Sequence, residues 1–404
     1  MKKAFALISL CAGLGITISG CTNLTVFDQN TSESAEKTEE KTEEQTTSAT
    51  LKETEAQIQK SSKTELTLLA AGDNLIHDTV YEKFYEGDGI YDFHPLYEKV
   101  KDIIQAYDLA VINQETIFVE DDSEVSNYPN FGTPHEMGEA LADTGFDVVL
   151  SATNHTMDKG ADTIEYMYDY WKTKYPDVTL LGIHGDEEDH NTIDIVEKNG
   201  IRLAMFNYTY GLNGYELPDD RGYLVDLLWD KDRFMSDIKK AEDQADMTVC
   251  FLHIGDEYVY EPTDYHRSYV DDCIDAGADL VICAHPHVVE PYGEVTTDRG
   301  NKGLVFYSCG NFVSAQDEID RLLGGMASVK ITKTTEGDKT ETKVTEYDFI
   351  PVVTHYTEWT EKVYKLDDYN DDLADMHVIK WYDDRFSVEY LWELWNHIVG
   401  ETGV

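Results

Sequence analysis

Five apolar runs in this chain each stop at a residue able to bind a metal ion or move a proton. "ELTLLAAGD" stops at Asp73 and "DLAVINQE" at Glu115. "FDVVLSATNH" stops at Asn154 and His155, "DMTVCFLH" at His253, and "ADLVICAHPH" at His285 and His287. Between them lie segments with helical spacing, among them "HPLYEKVKDIIQAY", "PHEMGEALADTG" with its glycine stop, and "TDYHRSYVDDCIDAG". Short apolar strands alternating with helices of about 10–15 residues predict a layered α/β fold. Further apolar segments, "IRLAMFNYTY", "GLVFYSCGNF", "GMASVKITKTTEG" and "TETKVTEYDFIPV", read as additional strands, some joined as hairpins. That points to two sheets rather than one.

The position of the polar residues matters as much as their type. In open α/β sheets the carboxyl ends of the strands converge on the binding crevice. Carboxylates, an amide oxygen and imidazoles gathered there form a mixed N/O donor set that suits Mn, Fe or Zn. Taken singly, each residue has a plainer reading. Gly72-Asp73 fits a turn, Glu115 a helix-start acid, Asn154-His155 a loop with local hydrogen bonds, and His253 a core histidine. The pair His285/His287 is more specific. In an extended segment residues i and i+2 share a face, and Pro286 biases the residue before it towards that shape. Both imidazoles are therefore expected to reach one point from an extended backbone.

The two ends of the chain read differently from its centre. Met1-Lys2-Lys3 and the apolar stretch Ala4–Gly20 resemble a leader, too short for a membrane span of about 20 residues. Ile18-Ser19-Gly20-Cys21 resembles the bacterial lipobox, which implies lipidation at Cys21. A plain membrane anchor or an ordinary cleaved signal are the alternatives, and each puts most of the chain outside the cytoplasm. The expectation is a lipid-anchored protein on the extracytoplasmic face of the cell membrane. Residues 22–64, rich in Glu, Thr, Ser and Lys, read as a disordered tether. Residues 65–352 form the expected domain. Residues 353–404 read as an aromatic-rich helical region packing on it, ending in "SVEYLWELWNHIVG". With Asp+Glu 80 against Lys+Arg 32 and a net charge of −48, the chain repels phosphate backbones, which argues against a nucleic-acid partner. Cys250, Cys273, Cys283 and Cys309 fit buried apolar fillers or disulfides whose pairing the sequence leaves open.

The segments "GDNLIHD", "INQETIF", "SATNHTMDKG", "HIGDEY", "AHPH" and "SCGNF", in that order from about Leu66 to Phe312, resemble the motif series of the CapA family. These are bacterial capsule or poly-γ-glutamate synthesis proteins related to calcineurin-like metallophosphoesterases. The resemblance implies an α-β-β-α sandwich of the metallophosphoesterase type, with two packed mixed sheets and one or two divalent ions (Mn, Fe or Zn). It implies Asp73, Glu115, Asn154, His253, His285 and His287 as metal ligands, with Glu115 in the bridging position. It implies His155 as the group that protonates a leaving oxygen and Asp158 as the group that orients it. Asn113, Glu257 and Asn311 fall in motifs near the substrate. The sequence departs from the related phosphoesterases at three points. Leu75 stands where they carry histidine, with His77 two positions on; Glu115 replaces an aspartate; and Ala284 replaces a glycine. The resemblance implies a cell-surface role in synthesis, export or attachment of an anionic envelope polymer, with the capsule machinery as partner. A secreted metal-dependent phosphoesterase and a non-catalytic solute-binding lipoprotein are the alternatives.

Overall fold

The structure is a computed structural model that describes residues 61–400. The leader, the lipobox with Cys21 and the tether up to residue 60 lie outside the described residues.

The first sheet is built on β1 (Ser61–Asn74), β2 (Leu109–Gln114), β3 (Val148–Leu150) and β4 (Thr179–Leu181), all parallel. The second holds β5 (Asp194–Lys198), β6 (Ile201–Thr209), β7 (Met247–His253), β8 (Leu280–Ala284), β9 (Tyr292–Thr296) and β10 (Lys302–Phe306). Its order is β9-β10-β8-β7-β6-β5, with β6, β7, β8 and β10 parallel and the two edge strands antiparallel. The chain then returns to the first sheet. β11 (Asn311–Val313) pairs with the end of β1, and β12 (Leu323–Glu336), β13 (Lys339–Tyr356) and β14 (Glu361–Lys365) extend the sheet antiparallel on the other side of β1. Both sheets are thus mixed.

The strands read as unbroken apolar runs because both faces of each sheet are covered. Leu66, Leu68 and Ala70 of β1 and Leu109 and Val111 of β2 meet Val249 and Phe251 of β7 and Leu280 and Ile282 of β8 in the core between the sheets. The alternate residues Leu69, Ala71, Ala110 and Ile112 face outward onto α1 (Glu136–Thr144) and α2 (Ala161–Lys174), through Met137, Leu141, Ile164 and Trp171. On the far side Cys250, Leu252, Val281 and Cys283 are covered by Phe234 and Ile238 of α3 (Lys231–Ala241) and Val270 and Ile274 of α4 (Asp264–Ala276). The layers run α-β-β-α, the sandwich the motifs imply. Each large core side chain, Phe251 and Phe306 among them, contributes about 1.5–3 kcal/mol by burial.

Two expected boundaries shift. β1 begins at Ser61 rather than Glu65, because Ser61–Thr64 pair with Glu336–Lys333 of β12. The C-terminal region is not wholly helical: β13 runs on to Tyr356 and β14 adds an edge strand before α5 (Val388–Ile398). α5 packs as its spacing predicts, with Leu391, Trp395 and Ile398 buried and the Trp395 ring 5.0 Å from that of Phe349. "HPLYEKVKDIIQAY" forms two short helices, His94–Tyr97 and Lys101–Ile104, instead of one. Cys250, Cys273, Cys283 and Cys309 are all free and buried. The described residues fall in one compact unit. No helix among them is long and apolar enough to cross a membrane.

Candidate metal centre

The register of the strands brings the polar residues together. Asp73 pairs with Asn113 on one side and Asn311 on the other, at the carboxyl end of β1. In the second sheet His253 pairs with Thr209 and with Ala284, so β6, β7 and β8 end level. A close backbone approach locks Asp73 in place. Its N–H donates to Gly310 O at 2.9 Å, and a Cβ on the preceding residue, Gly72, would lie 1.9 Å from that same oxygen.

The side chains meet in one buried network. Asn113 Nδ2 donates to Asp73 Oδ1 at 2.8 Å and lies 3.2 Å from His253 Nδ1. With Nδ1 accepting, His253 Nε2 carries the proton and donates it to Asn154 Oδ1 at 2.8 Å. That nitrogen and that oxygen aim at one point, where a metal ion would replace the proton. His287 stands between the two acids: Nδ1 is 3.2 Å from Asp73 Oδ2 and 3.1 Å from Asn311 Oδ1, and Nε2 is 3.8 Å from Glu115 Oε1. His253 Nε2 is also 3.8 Å from that Glu115 oxygen. Asn113 and Asn311, expected near the substrate, are both buried, with their amides committed to Asp73, His253 and His287. Asn311 Nδ2 donates to Arg321 O at 2.9 Å. Glu257 is exposed on the loop after β7.

The backbone of the His-Pro-His stretch differs from the extended one expected. His285 has φ 104° and His287 φ 62°, the left-handed region that non-glycine residues rarely occupy. Such residues cost of order 1–3 kcal/mol each unless their surroundings hold them. Here the His285 N–H donates to Asp73 Oδ2 at 3.2 Å, and its ring lies 4.7 Å from the Tyr210 ring and 4.9 Å from that of His253. The two imidazoles still converge, through a turn gripped by Asp73 rather than through period-two alternation.

Electrostatics follow from burial. Burial drives the Glu115 carboxyl well above the usual carboxylate range; His287 opposes this, while the Asp73 and Glu257 charges add to it. Burial, reinforced by neighbouring imidazoles, holds His253 and His285 well below the usual histidine value. For His287 burial acts downward too, but Glu115 and Asp73 outweigh it and bring the group to about 9.

The residues fit a divalent ion. Neither oxygen of Glu115 has a hydrogen-bond partner among the described residues, nor does Nδ1 of His285, and all three atoms are buried. Unpartnered buried carboxylates are costly, and a cation satisfies them. One donor atom each from Glu115, His285 and His287 lies within 4.8 Å of the others, close to the ~4 Å that two ~2 Å bonds to one ion span. Asp73, Asn154 and His253 complete a mixed N/O set around them.

His155 and Asp158 lie beside this cluster. His155 Nδ1 and Asp158 Oδ2 are 2.7 Å apart, and the same Asp158 oxygen accepts from Phe131 N at 2.7 Å. The His155 ring meets the Phe131 ring edge-on at 4.8 Å, so its orientation is set from two sides. Asn213 was not foreseen. It lies on a loop, at φ 50°, and accepts from Asn154 Nδ2 at 3.2 Å. "GLNG" signals only a turn. Arg321, stacked 3.8 Å from the Tyr258 ring centroid, and Tyr210 were likewise unmarked by any strand-end pattern. His77 follows Leu75 by two positions. Its Nδ1 is engaged by the backbone, 3.2 Å from Leu75 O and 3.3 Å from Ala315 N.

A model of the family described as bacterial capsule synthesis protein PGA_cap matches residues 67–316. The chain belongs to this family. Among curated relatives it is 29% identical over 223 residues to the PGA biosynthesis protein CapA of Bacillus subtilis, covering 55% of this chain and 57% of that protein. It is 30% identical over 191 residues to the capsule biosynthesis protein CapA of Bacillus anthracis, covering 45% and 43%. The match thus spans about half the length of these relatives. Solved structures similar in fold include a phosphatase from Mycoplasma pneumoniae (11% identity, TM-score 0.40, 72% of this chain and 95% of that one). Another is the NAD nucleotidase of Haemophilus influenzae (13%, 0.40, 72% and 56%). Likeness at that level carries no information about the reaction.

Just beyond the "AHPH" motif, Glu290 forms a second buried pair with a histidine. His266 Nδ1 is 3.4 Å from Glu290 Oε2, both side chains almost fully buried. Burial pushes Glu290 up to about 9 and His266 down to about 3. A carboxyl raised in the fold keeps a proton that the unfolded chain loses above about 4.5. Its stabilisation is therefore complete at low pH and is lost as pH climbs towards 9, by at most about 1.4 kcal/mol per unit. His266 acts only below about 6.5. Between pH 6.5 and 8.5, urea midpoints of the wild type should fall relative to those of Glu290→Gln; parallel profiles would show that Glu290 ionises freely in the fold.

Proposed function

We propose that this PGA_cap chain acts at the outer cell surface in the synthesis, export or attachment of an anionic capsular polymer such as poly-γ-glutamate, through a divalent-metal centre. The observation that carries the metal reading is the Glu115 carboxylate, buried with both oxygens unpartnered and facing two imidazoles. The polymer reading rests on the family and on the names of the two Bacillus relatives. The lipobox-like Cys21 and residues 22–60 support a lipid anchor and spacer. A surface of net charge −48 repels a polyanion, so on this reading the polymer is held through the metal and a chelator weakens its binding.

A bound Mn, Fe or Zn ion would supply a hydroxide nucleophile at neutral pH and charge neutralisation for an anionic oxygen. The protein supplies the rest. Asp73, Asn154, His253, His285, His287 and Glu115 hold the ion, and Asn113 and Asn311 brace Asp73, His253 and His287. Asp158 fixes His155 by its Nδ1, which leaves Nε2 to give a proton to a departing oxygen. This last pair favours a second reading, that the chain hydrolyses phosphoesters as a reaction in its own right.

The test uses the full chain loaded with Mn²⁺ and a generic phosphodiester, bis-p-nitrophenyl phosphate. Metal-dependent hydrolysis is expected, and His155→Asn should lower it by about 10²–10⁴-fold while metal content stays constant. Folded, metal-loaded protein without turnover on Mn²⁺, Fe²⁺ or Zn²⁺ rejects hydrolysis. The capsule role is tested in cells lacking the gene. The wild-type chain should restore surface polymer, and the His285→Ala/His287→Ala chain should not.

A further inference from the structure

A second group of metal-type ligands lies between the two sheets, just past the ends of β4 and β6. His184 follows β4, the edge of the first sheet. Asp226 lies on the segment from β6 to α3, and its N–H donates to Gly182 O at 3.0 Å while its carbonyl accepts from Thr209 N at 3.1 Å. His190 ends the short helix Glu187–His190, capped by Asp186. His184 Nε2 is 2.8 Å from Asp226 Oδ2, and His190 Nε2 is 3.2 Å from Asp226 Oδ1. One donor atom from each lies within 4.8 Å of the other two.

We propose that His184, His190 and Asp226 form a metal site, separate from the Glu115 cluster, that takes a zinc-type divalent cation and pins the two sheets together. Five observations support it. The donors are two imidazoles and a carboxylate, a set zinc favours, and around an ion with ~2 Å bonds in tetrahedral geometry donors stand about 3.3 Å apart. Beside them lies a cavity of about 20 Å³ lined by His184, His190, Asp194, Asp226 and Arg233, enough for one small sphere such as a fourth ligand water. The local charge is negative. Asp189, Asp194, Asp226 and Asp237 face Arg233 and Lys172, so carboxylates outnumber fixed cations. Arg233 is also turned to other work: it lies 3.5 Å from Asp237 and donates to the His190 carbonyl. Asp189 Oδ2, 3.5 Å from His184 Nδ1, supplies the outer partner that metal-bound histidines usually have. The side chains of His184, His190 and Asp226 are only 7%, 12% and 14% exposed, so an ion held there would be largely shielded from solvent.

The site is tested in a background that lacks the first centre. Full-length His285→Ala/His287→Ala protein, stripped by chelator, is titrated calorimetrically with Zn²⁺ alone, and its Co²⁺ adduct is read by visible absorption. About one equivalent of Zn²⁺ and tetrahedral Co²⁺ bands are expected. Adding His190→Ala should abolish both. Adding Asp226→Asn, which leaves the backbone bonds to Gly182 and Thr209 in place, should weaken Zn²⁺ binding at least tenfold. Zn²⁺ uptake unchanged by both additions, or no Zn²⁺ uptake in a folded double variant, overturns the proposal whatever the first centre does.

Discussion

Glu115→Leu should lose the bound divalent ion and, with it, metal-dependent turnover by on the order of 10³-fold. That factor corresponds to the several kcal/mol a bound metal contributes at about 1.4 kcal/mol per decade. The same substitution should raise stability when chelator is present. In the metal-free fold Glu115 is buried with neither oxygen hydrogen-bonded, a cost of about 1–3 kcal/mol that leucine of similar size does not bear. With Mn²⁺ that advantage shrinks or is reversed. The wild type gains about 2.7 kcal/mol at a hundredfold excess over Kd, while the variant gains nothing. Melting both proteins with and without Mn²⁺, beside elemental analysis and a turnover assay, checks these effects. A variant as metal-responsive as the wild type would remove Glu115 from the centre.

Gly72→Ala should be severe although the change adds one methyl and touches no ligand. The new Cβ would stand 1.9 Å from Gly310 O and 3.0 Å from Cys309 O, both backbone atoms. β1 and β11 must part to admit it, which costs about 3 kcal/mol or more. The parting breaks the 2.9 Å bond from Asp73 N to Gly310 O, so Asp73 moves and metal affinity should fall about 10–100-fold. Gly337→Ala at the tip of the β12–β13 hairpin is the control. Its φ is +64° with nothing within 4 Å of a Cβ, so it should cost about 1 kcal/mol and leave affinity unchanged. Equal losses of affinity in the two variants would mean that the β1–β11 contact does not set the site.

The layered fold was legible because its strands are buried on both faces and so carry long apolar runs. The site was legible because those runs end in Asp73, Glu115, Asn154, His253 and His285. The conformation of His285-Pro286-His287 was not. Local preference favours an extended backbone, and the left-handed one is imposed by Asp73, more than two hundred residues away in sequence. Asn213 reaches the centre from a loop whose sequence records only a turn, and Tyr210, the last residue of "IRLAMFNYTY", carries no ligand pattern although its ring lies against that of His285. The His184–His190–Asp226 group escaped for a related reason: "LGIHGDEEDH" reads as an ordinary acidic loop until folding brings Asp226 across from the other sheet. The β1 boundary was misplaced because Ser61–Thr64 are polar and gain strand structure from pairing with the β12 end, not from burial.

The length of β1 sets a standoff. The chain enters the fold at Ser61, and Asp73 lies near the strand's opposite end, about 40 Å away at 3.3 Å per residue. Ser61 and the candidate metal centre therefore lie at opposite ends of one strand.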